Sequence, residues 1–352
     1  MSTRRKTSKS SVARRTFLVQ SAALALAPGA VAAQQPAPAA VGPATAEDLR
    51  RKLLECLGGS WPDPGDLKPI IREKTQKDGY RLESVTYEVE PGEAVPAYVL
   101  IPDGINAGNP APAVAVWHQH NGAYNLGKVE PAGLAGSPMH HTGVALARQG
   151  YVVICPDALC FGERQGKDLR GGDFERFEFL RYVVAGKCLA WKNILDMRRA
   201  IDYLCARPEV QKDRIGCYGH SMGSTHTWLV GPWEPRLKCL VGNCCLPTYA
   251  AIHRAHLIYC FPNFIPGWFR HGDTPDIAGL IAPRRLHLNF GETDRDSPIQ
   301  EVRDGVQTIA LAYEKAGAAG QFSFYIEAGS GHVLSEEMWR RAQECFRATL
   351  RA

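Results

Sequence analysis

A serine set between two glycines is the residue of this chain best suited to nucleophilic chemistry. The run Gly219-His220-Ser221-Met222-Gly223 fits the pattern G-x-S-x-G, with a short apolar run before it and a helix-like run after it. In a strand–turn–helix of this kind the turn is so tight that the serine is strained and its hydroxyl is exposed. We therefore predict Ser221 as a nucleophile, with the Met222 backbone N–H facing a developing oxyanion. The alternative is a glycine-rich turn with an incidental serine.

A nucleophilic serine needs a general base, and the order of the chain leaves one candidate. For a serine on such a turn the partners follow in the order acid, then histidine. Only one histidine lies beyond the acidic loop at 291–298, and it is His332, in the glycine-rich run Gly329-Ser330-Gly331-His332. We predict that His332 acts as general base toward Ser221 and then as general acid toward the leaving group.

The acid that orients this histidine is expected in the polar loop after the apolar run Arg285–Phe290. Three carboxylates lie there, and a carboxylate can fix an imidazole and stabilise its protonated form. Asp294 is our choice because it follows the turn at Gly291. Asp296 is the second candidate and Glu292 the third; acids not used in this way would be solvated or would cap the next helix.

The second oxyanion donor should come from the polar loop His118–Gly122, which follows the apolar run Ala113–Trp117. The backbone N–H of His120 is predicted by position, and that of Gln119 is the alternative. His220, inside the serine turn, is expected to pack there and not to catalyse.

Neither a metal nor a cofactor is predicted. The pairs His118/His120 and His140-His141 lack a cluster of further ligands around them, and no C-x-x-C pattern occurs. No G-x-x-x-x-G-K motif and no strand followed by G-x-G-x-x-G is present, so no nucleotide site is indicated.

The elements around these residues alternate between strand-like and helix-like runs. A hairpin is predicted from Glu83–Val89 and Val95–Ile101 around Pro91-Gly92. The further predicted strands are Ala113–Trp117, Tyr151–Cys155, Ile215–Tyr218, Leu237–Cys244, Arg285–Phe290 and Phe322–Ile326, and the predicted helices are Thr142–Gln149, Phe179–Ala206, Ile299–Ala316 and Ser335–Leu350. Such alternation indicates an α/β fold with a largely parallel sheet. Residues 157–175 are expected to form a loop, and 246–284 an insertion over the site, as a lid or substrate wall.

The N-terminal segment is typical of an export signal. Residues 1–15 are basic, a largely apolar run follows from Phe17 to Ala27, and Ala30-Val31-Ala32 resembles a cleavage site. Arg14-Arg15 resembles the twin-arginine signal, which implies a periplasmic or secreted protein. The apolar run is too short to span a bilayer, so no stable membrane insertion is expected after signal removal. We predict an export signal at 1–33, a flexible spacer at 34–46 and a single domain at 47–352.

Composition and charge are those of an ordinary globular protein and argue against nucleic-acid binding. The chain has 352 residues, of which 45% are hydrophobic and 22% charged, as in ordinary globular proteins. Its net charge of +5 comes from six basic residues within the first 33, so the remainder carries −1 and offers no basic stripe for nucleic acid. The 11 cysteines all lie beyond the signal and do not decide the redox compartment. The oligomeric state is left open.

These motifs together resemble the α/β-hydrolase superfamily, on the turn Gly219–Gly223, the turn Gly291–Asp294 and the pair Gly331-His332. The resemblance covers roughly residues 80–350 and implies an α/β-hydrolase fold: a mostly parallel central sheet flanked by helices, with an N-terminal antiparallel hairpin. Two further sets of segments resemble exported dienelactone-hydrolase-like and acetyl-xylan-esterase-like enzymes: His141–Ala147 with Tyr151–Asp157 and Phe161–Arg164, and Ile281–Arg285.

Two departures from these relatives bear on the substrate. Dienelactone hydrolases use a cysteine nucleophile where this chain has Ser221, which favours ester chemistry. Glucuronoyl methylesterases carry an arginine after the nucleophile, where this chain has Met222. We therefore predict a serine hydrolase of carboxylic esters, with a small-molecule or carbohydrate ester as substrate. The alternatives are a peptidase resembling the prolyl-oligopeptidase group, which would need a large N-terminal propeller, and a non-catalytic binding protein on a hydrolase scaffold.

Overall fold

The apolar runs of the chain form one continuous sheet. A computed structural model describes residues 45–257 and 259–352. The strands in this part of the chain are β1 (Ile70–Lys77), β2 (Tyr80–Glu90), β3 (Glu93–Pro102), β4 (Ala111–Trp117), β5 (Val152–Pro156), β6 (Val210–His220), β7 (Leu237–Asn243), β8 (Arg285–Gly291) and β9 (Phe322–Glu327). They are ordered β1-β2-β3-β5-β4-β6-β7-β8-β9 across the sheet.

The two ends of this sheet differ in direction. β1, β2 and β3 pair antiparallel, and β3 pairs antiparallel with β5. From β5 through β4 and β6 to β9 every pairing is parallel. The predicted α/β class, the largely parallel sheet and the antiparallel hairpin are therefore confirmed. The carboxyl ends of β4, β6, β7, β8 and β9 lie along one edge, which is where such folds place their sites.

Helices cover both faces of the sheet. They are α1 (Ala46–Leu57), α2 (Thr142–Arg148), α3 (Gly171–Val184), α4 (Leu189–Ala206), α5 (Met222–Val230), α6 (Tyr249–Ala255), α7 (Thr274–Gly279), α8 (Ile299–Lys315) and α9 (Glu336–Leu350). Side chains of β4 alternate between two cores: Ala113 and Ala115 join the core that includes α4, α5 and α8, and Val114 and Val116 join the core of α2 and α9. Burial on both faces explains why β4 is a continuous apolar run in the sequence.

The prediction of a single helix over Phe179–Ala206 is wrong. The structure has two helices, α3 and α4, separated at residues 185–188, where Gly186 has a φ of 71°. The Cys188 N–H donates to Leu57 O at the end of α1, 3.2 Å away, instead of continuing a helix. Because α3 begins at Gly171, the predicted loop 157–175 is also too long by five residues.

Besides α6 and α7 inside the predicted insertion, two elements that precede the hairpin were not predicted. β1 has the sequence IIREKTQK and is exposed along most of its length, so it lacks the apolar alternation that marks a half-buried strand. α1 begins at Ala46 with a capping box formed by Thr45 and Asp48, and buries only Leu53 and Leu57.

Several sequence predictions fall partly or wholly outside the described residues. The export signal at 1–33 and residues 34–44 of the spacer lie there. In the part of the chain that the structure covers, none of the helices combines the length and apolar character needed to cross a membrane. All eleven cysteines lie within it and are free thiols.

Candidate active site

Ser221 lies at the sharp turn between β6 and α5. Its φ of 56° and ψ of −119° are strained for a residue with a side chain. A Cβ on Gly219 would lie 2.0 Å from Gly223 O, and a Cβ on Gly223 would lie 2.1 Å from Trp117 O at the end of β4. The two glycines therefore allow strand and helix to pass this closely, and the strained turn expected from the sequence is present. Within the described residues, the Ser221 hydroxyl has no hydrogen-bond partner.

His332 and Asp294 lie in direct contact after β9 and β8. His332 Nδ1 is 2.8 Å from Asp294 Oδ2, so the imidazole N–H donates to the carboxylate. The Asp294 side chain is 1% exposed, and its other oxygen accepts from the Asp296 N–H at 2.9 Å. Asp296 itself is 61% exposed, and its carboxylate lies 3.9 Å from the same nitrogen. Burial and distance both favour Asp294 as the acid that orients His332.

The acidic loop and the histidine loop are joined by their backbones. The Thr293 N–H donates to Ser330 O at 2.8 Å, and a Cβ on Gly291 would lie 2.1 Å from Gly331 O. The Glu292 carboxylate accepts from the Gly329 N–H at 3.0 Å. Glu292, the third candidate acid, thus helps to hold the two loops together and makes no contact with the imidazole.

The environment of His332 sets its protonation. Burial lowers its pKa, but the hydrogen bond and charge of Asp294, with the charge of Asp296, outweigh burial and raise the pKa above its ordinary value. Because Nδ1 carries the proton donated to Asp294, Nε2 is left as the basic atom. The ring lies against His220, the residue before Ser221, with centroids 5.1 Å apart.

His220 fills the space below the candidate base. Its Nδ1 lies 2.7 Å from the Asn243 amide, which also donates to Val333 O at 3.1 Å. Burial, and then the neighbouring charges of His140 and His332, lower the pKa of His220 well below its ordinary value, so this ring is neutral. Asn243 was missed by sequence reasoning, and a polar residue at the carboxyl end of a buried strand is the one signal that could have found it.

The two predicted oxyanion donors come from α5 and from the loop after β4. The N–H of Met222 is the first of α5, where helix geometry leaves it without an intrahelical partner. Among residues 45–257 and 259–352, neither this N–H nor those of Gln119 and His120 is hydrogen bonded. Gln119 therefore stays open as the alternative to His120.

The side chains of His118 and His120 hold the shape of this loop. The Ala158 N–H donates to His118 Nε2 at 3.1 Å, so His118 Nδ1 carries the proton and donates to Gln119 O at 2.8 Å. The Gly122 N–H donates to His120 Nδ1 at 3.0 Å, and His120 Nε2 lies 3.0 Å from Glu175 Oε2. Each ring therefore forms a hydrogen bond at both of its nitrogens.

Among the residues that the structure describes, a group of potential metal ligands lies at the candidate site. Cys244, Asp294 and His332 each place a ligand atom within 4.8 Å of the others. The thiol of Cys244, however, donates to Val333 O at 3.2 Å, and burial raises its pKa to about 12. Since Asp294 and His332 are hydrogen-bonded to each other, each of these three side chains already has a protein partner.

The predicted insertion 246–284 contains α6 and α7 between β7 and β8. Trp268 within it is fully buried and donates from its indole N–H to Asp273 O at 3.1 Å, so it packs the segment together. Phe264 packs against Phe179, and Tyr259 lies with its hydroxyl 3.2 Å from Cys245 Sγ. Phe269 is the exposed aromatic of the group.

Comparisons with known proteins show the family of this chain. A model of the Abhydrolase family matches residues 46–328. A Bacillus subtilis (strain 168) protein whose name describes it as a hydrolase, YtaP, is 29% identical over 289 residues, covering 80% of this chain and 93% of that protein.

Two solved structures share the fold. One, described as an acetyl xylan esterase from Bacteroides fragilis NCTC 9343, has a TM-score of 0.65 and 20% identity over 80% of this chain and 74% of its own. The other, a glucuronoyl esterase from Solibacter usitatus, has a TM-score of 0.64 and 16% identity over 86% of this chain and 91% of its own. The family model spans most of the chain, and the chain therefore belongs to the Abhydrolase family of α/β-hydrolases.

Proposed function

We propose that the protein is a serine hydrolase that cleaves carboxylic esters through an acyl-enzyme. The observation that carries this proposal is the buried Asp294–His332 pair, 2.8 Å apart, with the imidazole against the residue that precedes Ser221. A strained serine, preceded in the chain by a histidine that packs against an imidazole held by a buried carboxylate, fits the arrangement that activates a serine hydroxyl.

The proposed reaction proceeds in two acyl-transfer steps. Ser221 Oγ attacks the carbonyl carbon while His332 Nε2 takes its proton, and the oxyanion is held by the N–H groups of Met222 and His120. Collapse of the tetrahedral species expels the alcohol, which takes the proton from His332. Water then attacks the acyl-enzyme by the same route, releasing the acid and restoring Ser221.

The proposed substrate class is an acyl ester of a carbohydrate or another small alcohol. The esterases that share this fold are described as an acetyl xylan esterase and a glucuronoyl esterase, and this makes a carbohydrate ester the first substrate class to test. Met222 follows the nucleophile where the resemblance to glucuronoyl methylesterases would require an arginine, which favours acyl esters over methyl uronates.

A panel of acetyl, butyryl, feruloyl and methyl-uronate esters, together with labelling by a fluorophosphonate, tests the proposal. We expect hydrolysis of acetyl esters and labelling at Ser221. Ser221→Ala should lower kcat by roughly 10⁴–10⁶-fold, and His332→Ala by about as much, since triad residues act as a unit. The Ser221→Ala variant should keep its melting temperature, because the hydroxyl makes no hydrogen bond within the described residues.

A wild-type protein that hydrolyses none of these esters and is not labelled would contradict the proposal and favour a binding protein. Labelling combined with cleavage of proline-containing peptides, and not of esters, would favour the peptidase alternative.

We further propose that the protein is exported by the twin-arginine route and works in the periplasm or outside the cell. The support is the Arg14-Arg15 motif and the small residues at 30–33. Changing both arginines to lysine should leave the precursor in the cytoplasm in a cell-fractionation experiment. Mature protein still reaching the periplasm would show that this route is not used.

A further inference from the structure

A buried carboxylate lies beside the candidate oxyanion loop, and its partners among the described residues are a histidine and a tyrosine. Glu175, on α3, is 2% exposed. Its Oε2 accepts from Tyr124 Oη at 2.7 Å and lies 3.0 Å from His120 Nε2. Within the described chain no lysine or arginine forms an ion pair with it. Burying a carboxylate is unfavourable unless its partners compensate, so this position is poorly explained by stability alone.

Both partners of Glu175 come from the loop that follows β4. Because the Gly122 N–H donates to His120 Nδ1, that nitrogen is an acceptor, and the N–H at Nε2 donates to Glu175. The ring is fixed from two sides, by its own loop and by α3. One carboxylate oxygen thus connects α3 to the beginning and the end of the segment 120–124.

Aromatic packing continues this connection to the serine turn. The ring of Phe161 lies 5.0 Å from that of His120 and 4.9 Å from that of Tyr124. Phe161 and Met222 belong to one small buried cluster, against which Tyr124 packs. The loop that carries the His120 N–H and the helix start that carries the Met222 N–H are therefore held by the same group of side chains.

We propose that Glu175 is a positioning residue, which holds the segment 120–124 so that the His120 N–H is aimed at the oxyanion. The inference rests on the proposed function, since it assigns Glu175 a role in that same reaction. Charge on the carbonyl oxygen develops only in the transition state. Loss of the positioning contact should therefore lower kcat and leave KM nearly unchanged.

The test compares Glu175→Gln with Glu178→Gln. Glu178 lies one turn along the same helix and is also buried, but it accepts at 3.2 Å from Arg181, whose side chain is 51% exposed. Glutamine keeps the size of the side chain while weakening the acceptor, so Glu175→Gln should lower kcat on p-nitrophenyl acetate several-fold. Glu175→Ala, which removes the acceptor, should lower kcat by roughly 10- to 100-fold, less than the loss of an oxyanion donor itself. Glu178→Gln should stay within about twofold of wild type.

A transition-state analogue separates positioning from a purely structural role. Ser221 Oγ adds to the carbonyl carbon of an alkyl trifluoromethyl ketone, and the resulting oxyanion occupies the same oxyanion hole. We expect its inhibition constant to rise in each Glu175 variant by the factor by which kcat/KM falls, with no change in the Glu178 variant.

Unchanged kcat and inhibition constant per folded enzyme in Glu175→Gln, with only a lower melting temperature, would overturn the inference. If Glu175→Ala fails to fold, the Gln variant alone decides. A failure of the proposed function looks different: the wild-type protein itself would then neither turn over esters nor bind the ketone.

Discussion

Asp294 and His332, 38 residues apart in the chain, meet through a 2.8 Å hydrogen bond between Oδ2 and Nδ1, with the carboxylate buried beneath the imidazole. The contact exists because β8 and β9 are parallel neighbours, so that the loops after them leave the same edge of the sheet. This contact identifies Asp294 among the three candidate acids, and it leaves Nε2 as the basic atom of His332.

The first prediction concerns which acid serves the base. Asp294→Asn should lower kcat by roughly 10³–10⁴-fold, because the amide cannot stabilise the protonated imidazole and favours the wrong tautomer. This loss should be smaller than that of Ser221→Ala. Asp296→Asn is the matched control, and its exposed side chain predicts a change of a few-fold at most. Steady-state kinetics on an acetyl ester measure both variants. An inactive Asp296→Asn variant together with an active Asp294→Asn variant would assign the role of the acid to Asp296 instead.

The second prediction concerns pH. The candidate base must be neutral, and the pKa of His332 is raised because Asp294 and Asp296 outweigh the opposing effect of burial. The apparent pKa of the acid limb of the pH profile of kcat/KM should therefore lie above the ordinary histidine pKa of about 6.5. In the Asp294→Asn variant the effect of burial on the pKa of His332 dominates. The acid limb of the pH profile of its residual activity should therefore move to lower pH. A limb that stays in place or moves upward in this variant would show that Asp294 does not control His332.

The third prediction concerns the glycines of the serine turn. A Cβ on Gly223 would lie 2.1 Å from Trp117 O, whereas a Cβ on Gly320 has nothing within 4 Å. Overpacking of this kind costs roughly 1–3 kcal/mol or more, so Gly223→Ala should lower the free energy of unfolding and also the activity, by separating α5 from β4. Gly320→Ala should be close to neutral. Urea unfolding measures both, and equal stability of the two variants would contradict the prediction.

The fourth prediction concerns the aromatics of the segment 246–284. Trp268 is fully buried, so Trp268→Ala should cost about 3–5 kcal/mol of stability and lower activity on every ester to the same extent. Phe269, 51% exposed and next in sequence, is the control, and its loss should change stability little. A changed ranking of ester substrates in Trp268→Ala, at unchanged melting temperature, would instead assign this tryptophan to the substrate pocket.

Much of the fold could be predicted because the signals for it are local. Continuous apolar runs mark strands buried on both faces, and β4 and β5, which are buried at every position, carry such runs. The turn Gly219–Gly223 is recognisable because only glycine fits where strand and helix nearly touch, and His332 follows by elimination along the chain. These features depend on residue type, periodicity and order, which are all present in the sequence.

The remaining features depend on contacts between distant residues. The break between α3 and α4 is set by Cys188 bonding to Leu57, and β1 exists because β2 offers it a ladder, although its own residues are mostly exposed. The sequence by itself determined the family pattern, the candidate nucleophile and base, and a short list of acids. Only the tertiary structure decided that Asp294 is the buried one, that Asn243 supports His220 and that Glu175 reaches the loop of His120, because burial and hydrogen-bond partners arise only when separate elements are packed together.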